Sequence, residues 1–271
     1  MNILEKIMAH KAQEVEKRKA LYPVKLLEQS IFFNTPVASL SKYITRPDKS
    51  GIIAEFKRRS PSKGDIKPYA SVERVSIGYM QAGASALSVL TDQHFFGGSN
   101  EDLKEARKFN FCPILRKDFI LDEYQIVEAR SIGADEILLI AECLEKDRLA
   151  QLATTAKNLG LEVLLEIHSA AQLDKIPADI QLIGVNNRNL ENFTVSLATS
   201  LDLISQLPSD VVKVSESGLN DPNAVVELKK AGYQGFLIGE YFMRHAEPGM
   251  ACRTFVQRIQ HIEDILENAI A

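Results

Sequence analysis

Cysteine is scarce in this chain, and the few that occur exclude a disulfide framework. The 271 residues include three cysteines, Cys112, Cys143 and Cys252, and no two of them form a Cys-x-x-Cys pair. An odd number of cysteines, each among apolar neighbours, is typical of buried free thiols. We therefore expect the protein to work in a reducing compartment.

Signals for export and for membrane insertion are also lacking. The first residues, Met1-Asn-Ile-Leu-Glu-Lys, have no apolar core of the kind that a signal peptide needs. No apolar run reaches the roughly 18 residues of a membrane-spanning helix. We expect a soluble cytoplasmic protein with no membrane partner.

No excess of basic charge is present. Lys and Arg total 32 against 36 Asp and Glu, which gives a formal net charge of −4 at pH 7. Nucleic-acid binding depends on a basic face that displaces counterions from phosphates. We expect no nucleic-acid partner, although a local basic pocket for a small anion is compatible with this balance.

The five histidines do not indicate a metal site. His10 and His261 lie in terminal helical segments, His94 and His168 follow different predicted strands, and His245 begins a late helix. No two of them have the spacing of metal ligands. We expect no metal.

Eight short apolar runs alternate with helical patterns along the chain. Runs that are apolar nearly throughout are typical of parallel strands, which are covered on both faces by helices. Eight such strands fit a closed (βα)8 barrel, the TIM barrel of the α/β class, better than an open sheet, and a barrel of about 250 residues is one domain. We therefore expect residues 1–271 to form a single domain. The predicted strands are Gly51–Lys57, Ala84–Leu90, Cys112–Lys117, Asp135–Ile140, Glu162–Ile167, Gln181–Asn186, Val211–Ser215 and Gly235–Ile238.

Between these strands the sequence contains signals for where helices begin and end. Amphipathic spacing with a following glycine predicts helices at Ser71–Gln81, Asp122–Ile132 and Asp221–Ala231. Residues 1–49 stand outside the repeat. A charged helix and a short segment around Val24–Ser30 predict an N-terminal helical extension packed on the barrel. In it, the run Lys17-Arg18-Lys19 is balanced by glutamates and indicates a solvated helix face rather than an anion site.

Charged side chains are concentrated where the predicted strands end. In a (βα)8 barrel the reacting groups sit at the carboxyl ends of the strands. Glu55 and Lys57 alternate with Phe56 at the first of these ends, so they point to the same side. A single strand-end Lys–Glu pair is often a solvated salt bridge, but ionisable groups from four strands at one rim indicate an active site. The strand-end set is Glu55, Lys57, Lys117, Glu166, Asn186 and Arg188.

The last two predicted strands are each followed by glycine. Gly218 comes after Ser215-Glu-Ser, and Gly239 follows Phe236-Leu-Ile. Such loops expose backbone N–H groups, which suit phosphate oxygens, and barrel enzymes bind phosphate after strands seven and eight. One Ser-Gly is more often a simple turn, whereas two glycines at the correct strands predict a phosphate site.

Five segments together resemble the indole-3-glycerol-phosphate synthase family. They are Ile53-Ala-Glu-Phe-Lys-Arg-Arg-Ser-Pro-Ser-Lys-Gly, Leu90-Thr-Asp-Gln-His-Phe-Phe-Gly-Gly-Ser, Leu115-Arg-Lys-Asp-Phe, Ile183-Gly-Val-Asn-Asn-Arg-Asn-Leu and Ser215-Glu-Ser-Gly. The resemblance covers essentially the whole chain and leaves no room for a fused isomerase domain. It implies a monomeric carboxy-lyase of tryptophan biosynthesis that uses no cofactor. Its phosphorylated substrate would be 1-(2-carboxyphenylamino)-1-deoxyribulose 5-phosphate, converted to indole-3-glycerol phosphate, carbon dioxide and water.

The resemblance also implies catalytic roles. Lys117 would be the general acid for ring closure, with Glu166 stabilising the charged intermediate or transferring a proton. Lys57 would hold the substrate carboxylate and is a candidate acid for hydroxide loss. Glu55 would orient the lysines and is an acid–base candidate. Which lysine protonates which oxygen stays open.

Binding roles follow from the same resemblance. Asn186 and Glu216 would bind substrate hydroxyl or amine groups, Arg188 and Ser217 would support the loop, and Phe119, better than Phe95 or Phe96, would wall the aromatic ring. The implied phosphate-binding positions are Ser60, Gly218, Gly239 and Glu240. Position 240, where the family has a serine or another residue, is the acidic Glu240 here, and a carboxylate repels phosphate. We expect its backbone N–H to contact phosphate while its side chain turns away.

Other functions on the same fold remain open at this point, because a fold does not determine a function. A strand-end lysine is compatible with a Schiff-base aldolase or with a sugar-phosphate isomerase. A metal-dependent epimerase would need strand-end His and Asp ligands that the sequence does not supply. A non-catalytic phosphosugar-binding barrel would leave the clustered lysines and glutamates unexplained.

Overall fold

Eight parallel strands close into a barrel in the computed structural model, which describes residues 3–190 and 192–269. Each strand pairs with its sequence neighbours, and the first pairs with the last, so the predicted (βα)8 barrel is confirmed. The strands are β1 Ile52–Phe56, β2 Ala86–Leu90, β3 Ile114–Lys117, β4 Glu136–Ile140, β5 Glu162–Ile167, β6 Leu182–Asn186, β7 Val212–Glu216 and β8 Gly235–Ile238. An antiparallel pair, Arg59–Ser60 with Gly64–Asp65, follows β1.

Most strands begin one or two residues later than predicted, because the residues before them still close the preceding helix. The Ala84 N–H donates to the Tyr79 carbonyl, and the Ala134 N–H donates to the Ala129 carbonyl. Those donors are therefore not available to the sheet.

Helices cover the outside of the barrel and both of its ends. The predicted helices begin at side-chain caps: Ser71 accepts from the Arg74 N–H, and Asp122 forms a capping box with Gln125. The described helices are α1 Ile3–Leu21, α2 Val24–Leu27, α3 Leu40–Ile44, α4 Val72–Gln81, α5 Asn100–Phe109, α6 Glu123–Ser131, α7 Lys146–Asn158, α8 Ala198–Leu203, α9 Pro222–Ala231, α10 Glu240–Met243 and α11 Pro248–Asn268. In the described part of the chain, none of them is long and apolar enough to cross a membrane.

The connection between β5 and β6 differs from the other crossovers. A 3₁₀ helix, Ala170–Lys175, stands where the repeat predicts an α-helix. Ile176 is extended and precedes Pro177, and the residue before a proline disfavours helical geometry. The segment therefore ends after two short turns.

The barrel interior is apolar at the amino ends of the strands and charged at their carboxyl ends. Ile53, Leu115, Leu164 and Val214 belong to one buried cluster inside the barrel. Because side chains alternate along a strand, the next inward positions are two residues further on, and Lys117 is one of them. The charged side chains thus stand directly on an apolar floor.

The N-terminal extension is helical, as predicted, and closes both ends of the barrel. The short helix α3, which the sequence pattern does not reveal, buries Leu40 and Ile44 against the amino ends of the strands. Glu162 of β5 fixes it by accepting from the Ser39 hydroxyl at 2.6 Å and from the Ser41 N–H at 2.9 Å.

The long helix α1 crosses the opposite end. Its Lys11 is 1% exposed and pairs with Asp92 at 2.9 Å and with Asp118 at 3.0 Å, in the loops after β2 and β3. The Tyr124 hydroxyl donates to the carbonyls of Arg18 and Tyr22 near the helix end. These contacts attach α1 to the same loops that follow the active-site strands.

Two residues of the run Lys17-Arg18-Lys19, predicted as a solvated face, also form ion pairs with the barrel. Arg18 Nε donates to Glu128 at 2.5 Å, and Lys19 Nζ donates to Asp122 at 2.7 Å. Both acceptors belong to α6 or its cap, which the N-terminal segment approaches only in the folded chain. This face therefore combines charge pairing between the helices with partial exposure to solvent.

A buried carboxyl group at the closed end makes the stability of the fold depend on pH. Glu136 is fully buried, and neither of its carboxyl oxygens has a well-formed hydrogen bond to a described residue. Burial, with Asp135 and Glu162 nearby, raises the pKa of Glu136 well above 4.5 despite the opposing effect of Arg107. The folded protein therefore holds a proton that the unfolded chain releases above about pH 4.5.

We expect Glu136→Gln to remove this dependence. In the native protein the contribution of Glu136 to stability is present below pH 4.5 and declines as pH rises towards the folded-state pKa. Urea unfolding at pH 5 and pH 8 should show the Gln variant gaining free energy of unfolding over the native protein at the higher pH. An equal difference at both pH values would contradict a neutral buried Glu136.

Candidate active site

A cavity with two adjoining lobes lies at the carboxyl ends of the strands. The apolar lobe has walls from Ile3, Ile7, Phe96 and Phe119, above Lys117. The glycine lobe is lined by Gly218 and Gly239 and by the cationic side chains of Lys63 and Arg244. Both lobes share Glu55, Lys57, Arg188, Ser217 and Glu240. Helix α1 therefore roofs the site at the apolar end, a contribution that sequence patterns do not reveal.

Two lysine–glutamate clusters stand on the cavity floor. Lys117 Nζ donates to Glu166 Oε2 at 2.8 Å and lies 3.2 Å from Glu216 Oε2. Lys57 Nζ lies 2.9 Å from Glu55 Oε1. Strands β1, β3, β5 and β7 supply these groups, as inward positions at strand ends require. The structure thus brings together all four predicted catalytic residues and Glu216.

Glu166 and Glu216 both face Lys117, but their pKa values are shifted in opposite directions. Burial alone would raise the pKa of Glu166, but Lys117, His168 and hydrogen bonds from Lys117 and Asn186 outweigh it and lower that pKa to about 2. Burial and the neighbouring Glu166 and Glu55 raise the pKa of Glu216 to about 8 against the pull of Lys117. The lowered pKa favours the anionic form of Glu166, and the raised pKa favours a protonated Glu216, which can donate a hydrogen bond.

Lys117 itself carries a firmly held proton. Burial opposes its charge, but Glu166, Glu216 and Glu55 together raise the pKa of its ammonium above 10.5. A lysine that forms an imine must instead be neutral when it attacks. The charged form of Lys117 suits a proton or hydrogen-bond donor at this position better than a Schiff-base nucleophile.

The predicted binding residues are held by backbone geometry. Asn186 accepts from the Arg188 N–H at 2.9 Å, which fixes the start of the loop after β6. Ser217 has a φ of 67°, unusual for a residue with a side chain, and Asn187 stabilises this turn by donating to the carbonyls of Glu216 and Ser217. Such strain is typical of functional sites, where the surrounding contacts impose it.

Two of the expected placements differ in the structure. Ser60 lines the apolar lobe, whereas Gly218 and Gly239 line the glycine lobe, so the four predicted phosphate positions are not all together. Glu240 does not turn out of the cavity: its carboxylate lies 3.3 Å from Arg188 Nη2 and lines both lobes. The opposite charge of Arg188 explains this orientation.

The aromatic wall follows the prediction for Phe119. The rings of Phe119 and Phe96 lie 5.9 Å apart in the apolar lobe. Phe95 instead packs edge-on against His94 at 4.6 Å and against His10 of α1 at 5.6 Å. The three phenylalanines therefore divide between the cavity and the roof.

Two residues near the reacting groups were not predicted. His168 Nε2 lies 3.3 Å from Glu166 Oε1, on the side away from Lys117. Gly184 faces Glu216, and a Cβ at position 184 would overlap the Glu216 carboxyl group. A glycine inside an apolar strand is the signal that could have revealed this close approach.

Strand-end charges, an apolar wall and a glycine lobe on a closed parallel barrel define a (βα)8-barrel enzyme. Two solved structures share the fold: 3-hexulose-6-phosphate synthase from Salmonella typhimurium (TM-score 0.62, 12% identity, 78% of this chain and 98% of that one) and thiamine phosphate pyrophosphorylase from Pyrococcus furiosus (TM-score 0.58, 15% identity, 82% and 99%). At such low identity they support the fold alone.

Sequence comparison identifies the family. The family model described as indole-3-glycerol phosphate synthase matches residues 4–255. Proteins named indole-3-glycerol phosphate synthase from Bacteroides thetaiotaomicron and Laribacter hongkongensis are 49% and 42% identical, covering 96% and 92% of this chain and 99% and 97% of theirs. The chain belongs to the indole-3-glycerol phosphate synthase family, whose members are carboxy-lyases of tryptophan biosynthesis. The predicted family and enzyme class are confirmed.

The packing of Gly184 against Glu216 gives a test of the floor geometry. We expect Gly184→Ala to push the Glu216 carboxyl group away from Lys117 and to lower kcat by about 10- to 100-fold, since small displacements of reacting groups have effects of this size. Steady-state kinetics measure the loss, and thermal unfolding verifies that the variant folds. Full activity in a folded Gly184→Ala protein would show that the placement of Glu216 is not critical.

Proposed function

We propose that this cavity catalyses the reaction of its family, with Lys117 as the acid of the first step. The aromatic carbon that bears the substrate carboxylate bonds to the ketose carbonyl carbon, and the carbonyl oxygen takes the Lys117 proton. Carbon dioxide then leaves, and loss of water completes the indole ring. The observation that carries this proposal is the position of the Lys117 ammonium, 2.8 Å from Glu166 Oε2 and 3.2 Å from Glu216 Oε2 at the carboxyl ends of the strands.

Proton transfer from Lys117 changes Glu166. While Lys117 is charged, Glu166 is a weak base, because the ammonium lowers its pKa. Once Lys117 has given up its proton, that stabilisation is lost and Glu166 becomes a stronger base. The acid of ring closure thus prepares the base that dehydration needs. The Glu166 charge also stabilises positive charge developing on the substrate amine.

The other floor residues bind and orient the substrate. Lys57, 2.9 Å from Glu55, is placed to hold the substrate carboxylate and to protonate the leaving hydroxide. Glu216, as a neutral acid, can donate to a substrate hydroxyl or amine, and Asn186 can hydrogen-bond to the same groups. Phe119 and Phe96 provide the apolar wall for the aromatic ring.

The glycine lobe is the proposed phosphate site. Gly239 permits close approach of backbone, since a Cβ there would lie 2.6 Å from Glu55 Oε1. Lys63, Arg188 and Arg244 supply positive charge to the same lobe. A substrate spanning both lobes would place its ring under α1 and its phosphate at the carboxyl ends of β7 and β8, where barrel enzymes bind phosphate.

The proposal also includes a monomeric, single-domain enzyme in the cytoplasm, working without a cofactor. Its support is that one chain supplies both lobes and the complete set of proposed acid, base and binding groups. The three cysteines are free thiols, which suits a reducing compartment.

Direct turnover is the decisive experiment. The chain has no tryptophan, so indole emission from the product can be followed without indole emission from the protein. We expect 1-(2-carboxyphenylamino)-1-deoxyribulose 5-phosphate to give the indole product, measured by its fluorescence, and carbon dioxide in equal molar amounts. Purified, folded protein that releases neither would refute the proposed activity.

The roles of Lys117 and Glu166 can be separated by a double-mutant cycle. We expect Lys117→Met and Glu166→Gln each to lower kcat by about 10²-fold or more with little change in folding, because each removes a charge that acts in the transition state. If Lys117 prepares Glu166, the double variant should lose much less than the product of the two single effects. A fully multiplicative loss would indicate independent roles.

The phosphate site has its own test at Gly218. This residue has a φ of 76°, and a Cβ there would overlap the Val195 side chain of the facing loop. We expect Gly218→Val to raise KM at least tenfold, with a smaller effect on kcat, since it distorts the lobe that holds the non-reacting phosphate. An unchanged KM in a folded variant would place the phosphate elsewhere.

A further inference from the structure

Glu240 is an acidic residue inside the lobe proposed to bind an anion. Its side chain lines both lobes and is about one third exposed. A phosphate monoester carries nearly two negative charges at pH 7. A carboxylate in the same lobe adds another and opposes binding unless it is compensated. Lys63, Arg188 and Arg244 line the glycine lobe, and among the described residues Arg188 is the cation that contacts Glu240.

The contact between Glu240 and Arg188 is weak by the standards of ion pairs. Nη2 of Arg188 donates to Glu240 Oε2 at 3.3 Å, whereas charge-assisted hydrogen bonds are usually about 2.7–2.9 Å long. Only one guanidinium nitrogen takes part, although arginine offers five N–H donors arranged to hold oxyanions in pairs. Among the described residues, the guanidinium of Arg188 has one ion-pair contact, to Glu240, and retains further N–H donors.

The backbone around Arg188 places it beside the glycine lobe. The backbone N–H of Arg188 donates to the side-chain oxygen of Asn186. Arg188 also pairs with Val195 in an isolated antiparallel β-bridge. Val195 in turn packs against Gly218, so the loop after β6 touches the loop after β7. A phosphate held at Gly218 and Gly239 would therefore lie within the region that the Arg188 side chain already reaches.

We propose that Glu240 is an internal competitor for Arg188: its carboxylate contacts the guanidinium, and the substrate phosphate displaces that carboxylate from it. This inference rests on the proposed location of the phosphate in the glycine lobe. The competition lowers the affinity of the lobe for phosphate groups, so it weakens the binding of substrate and product alike. Glu240 is then a determinant of how readily the phosphorylated product leaves.

The first arm of the test measures binding without turnover. Calorimetry with inorganic phosphate compares the native protein with Glu240→Gln, which keeps the size of the side chain but removes its charge. We expect phosphate to bind about tenfold more tightly to the Gln variant, and the KM for substrate to fall in parallel. Glu247→Gln is the matched control, since Glu247 pairs with Arg74 at 2.8 Å on the surface, and it should change neither value.

The second arm asks whether Glu240 acts through Arg188. In an Arg188→Gln background, Glu240→Gln should change phosphate affinity less than twofold, because the contested guanidinium is gone. If Arg188→Gln does not fold, Arg188→Lys provides the background, and the Glu240 effect should shrink there too. A tenfold effect that persists would mean simple repulsion and would overturn the competition.

Two further results would also overturn it. Weaker phosphate binding by Glu240→Gln would make Glu240 a phosphate ligand, and unchanged binding would show that the Arg188 contact has no consequence. Because this binding is measured without substrate, the outcome is independent of turnover. Failure of the competition would therefore leave the proposed reaction standing, and failure of turnover would not by itself remove the anion competition.

Discussion

A buried ammonium group that must keep anionic partners determines the arrangement of the whole site. Lys117 stands above the apolar interior of the barrel, where an unpaired charge would be strongly unfavourable. Glu166 and Glu216 both face it, and the two carboxyl groups cannot both be fully stabilised by one cation. The pKa of Glu166 is therefore lowered and that of Glu216 raised, so the two carboxyl groups favour different protonation states. A shortage of positive charge, rather than any special residue type, creates two different functional groups from two glutamates.

Much of the fold follows from short-range patterns. Apolar runs at regular intervals predicted all eight strands, because a strand covered on both faces leaves no alternating pattern. The strand-end rule then selected Glu55, Lys57, Lys117 and Glu166 from many charged residues, since the carboxyl ends of parallel strands meet at one rim. Residues whose placement depends only on strand register were thus predictable, and the structure brings them within one cavity.

What the sequence could not reveal depends on contacts between distant segments. Helix α3 is only five residues long, and it owes its position to Glu162 of β5. Arg18 has the pattern of a solvated residue until α6 supplies Glu128. The orientation of Glu240 similarly reflects Arg188, 52 residues earlier in the chain. In each case the partner is a charge brought near by folding, and no local periodicity records it.

The attachment of α1 has a consequence for the order in which the molecule is assembled. This helix is synthesised before the barrel, and its partners for Lys19 and Arg18 follow 103 and 110 residues later. A charged helix that buries few apolar side chains of its own has little reason to be stable while it waits. The roof over the apolar lobe is therefore completed only after three of the eight barrel strands have been synthesised. In a chain whose synthesis has not passed that point, the first catalytic strands are present but α1 does not yet cover the cavity above them.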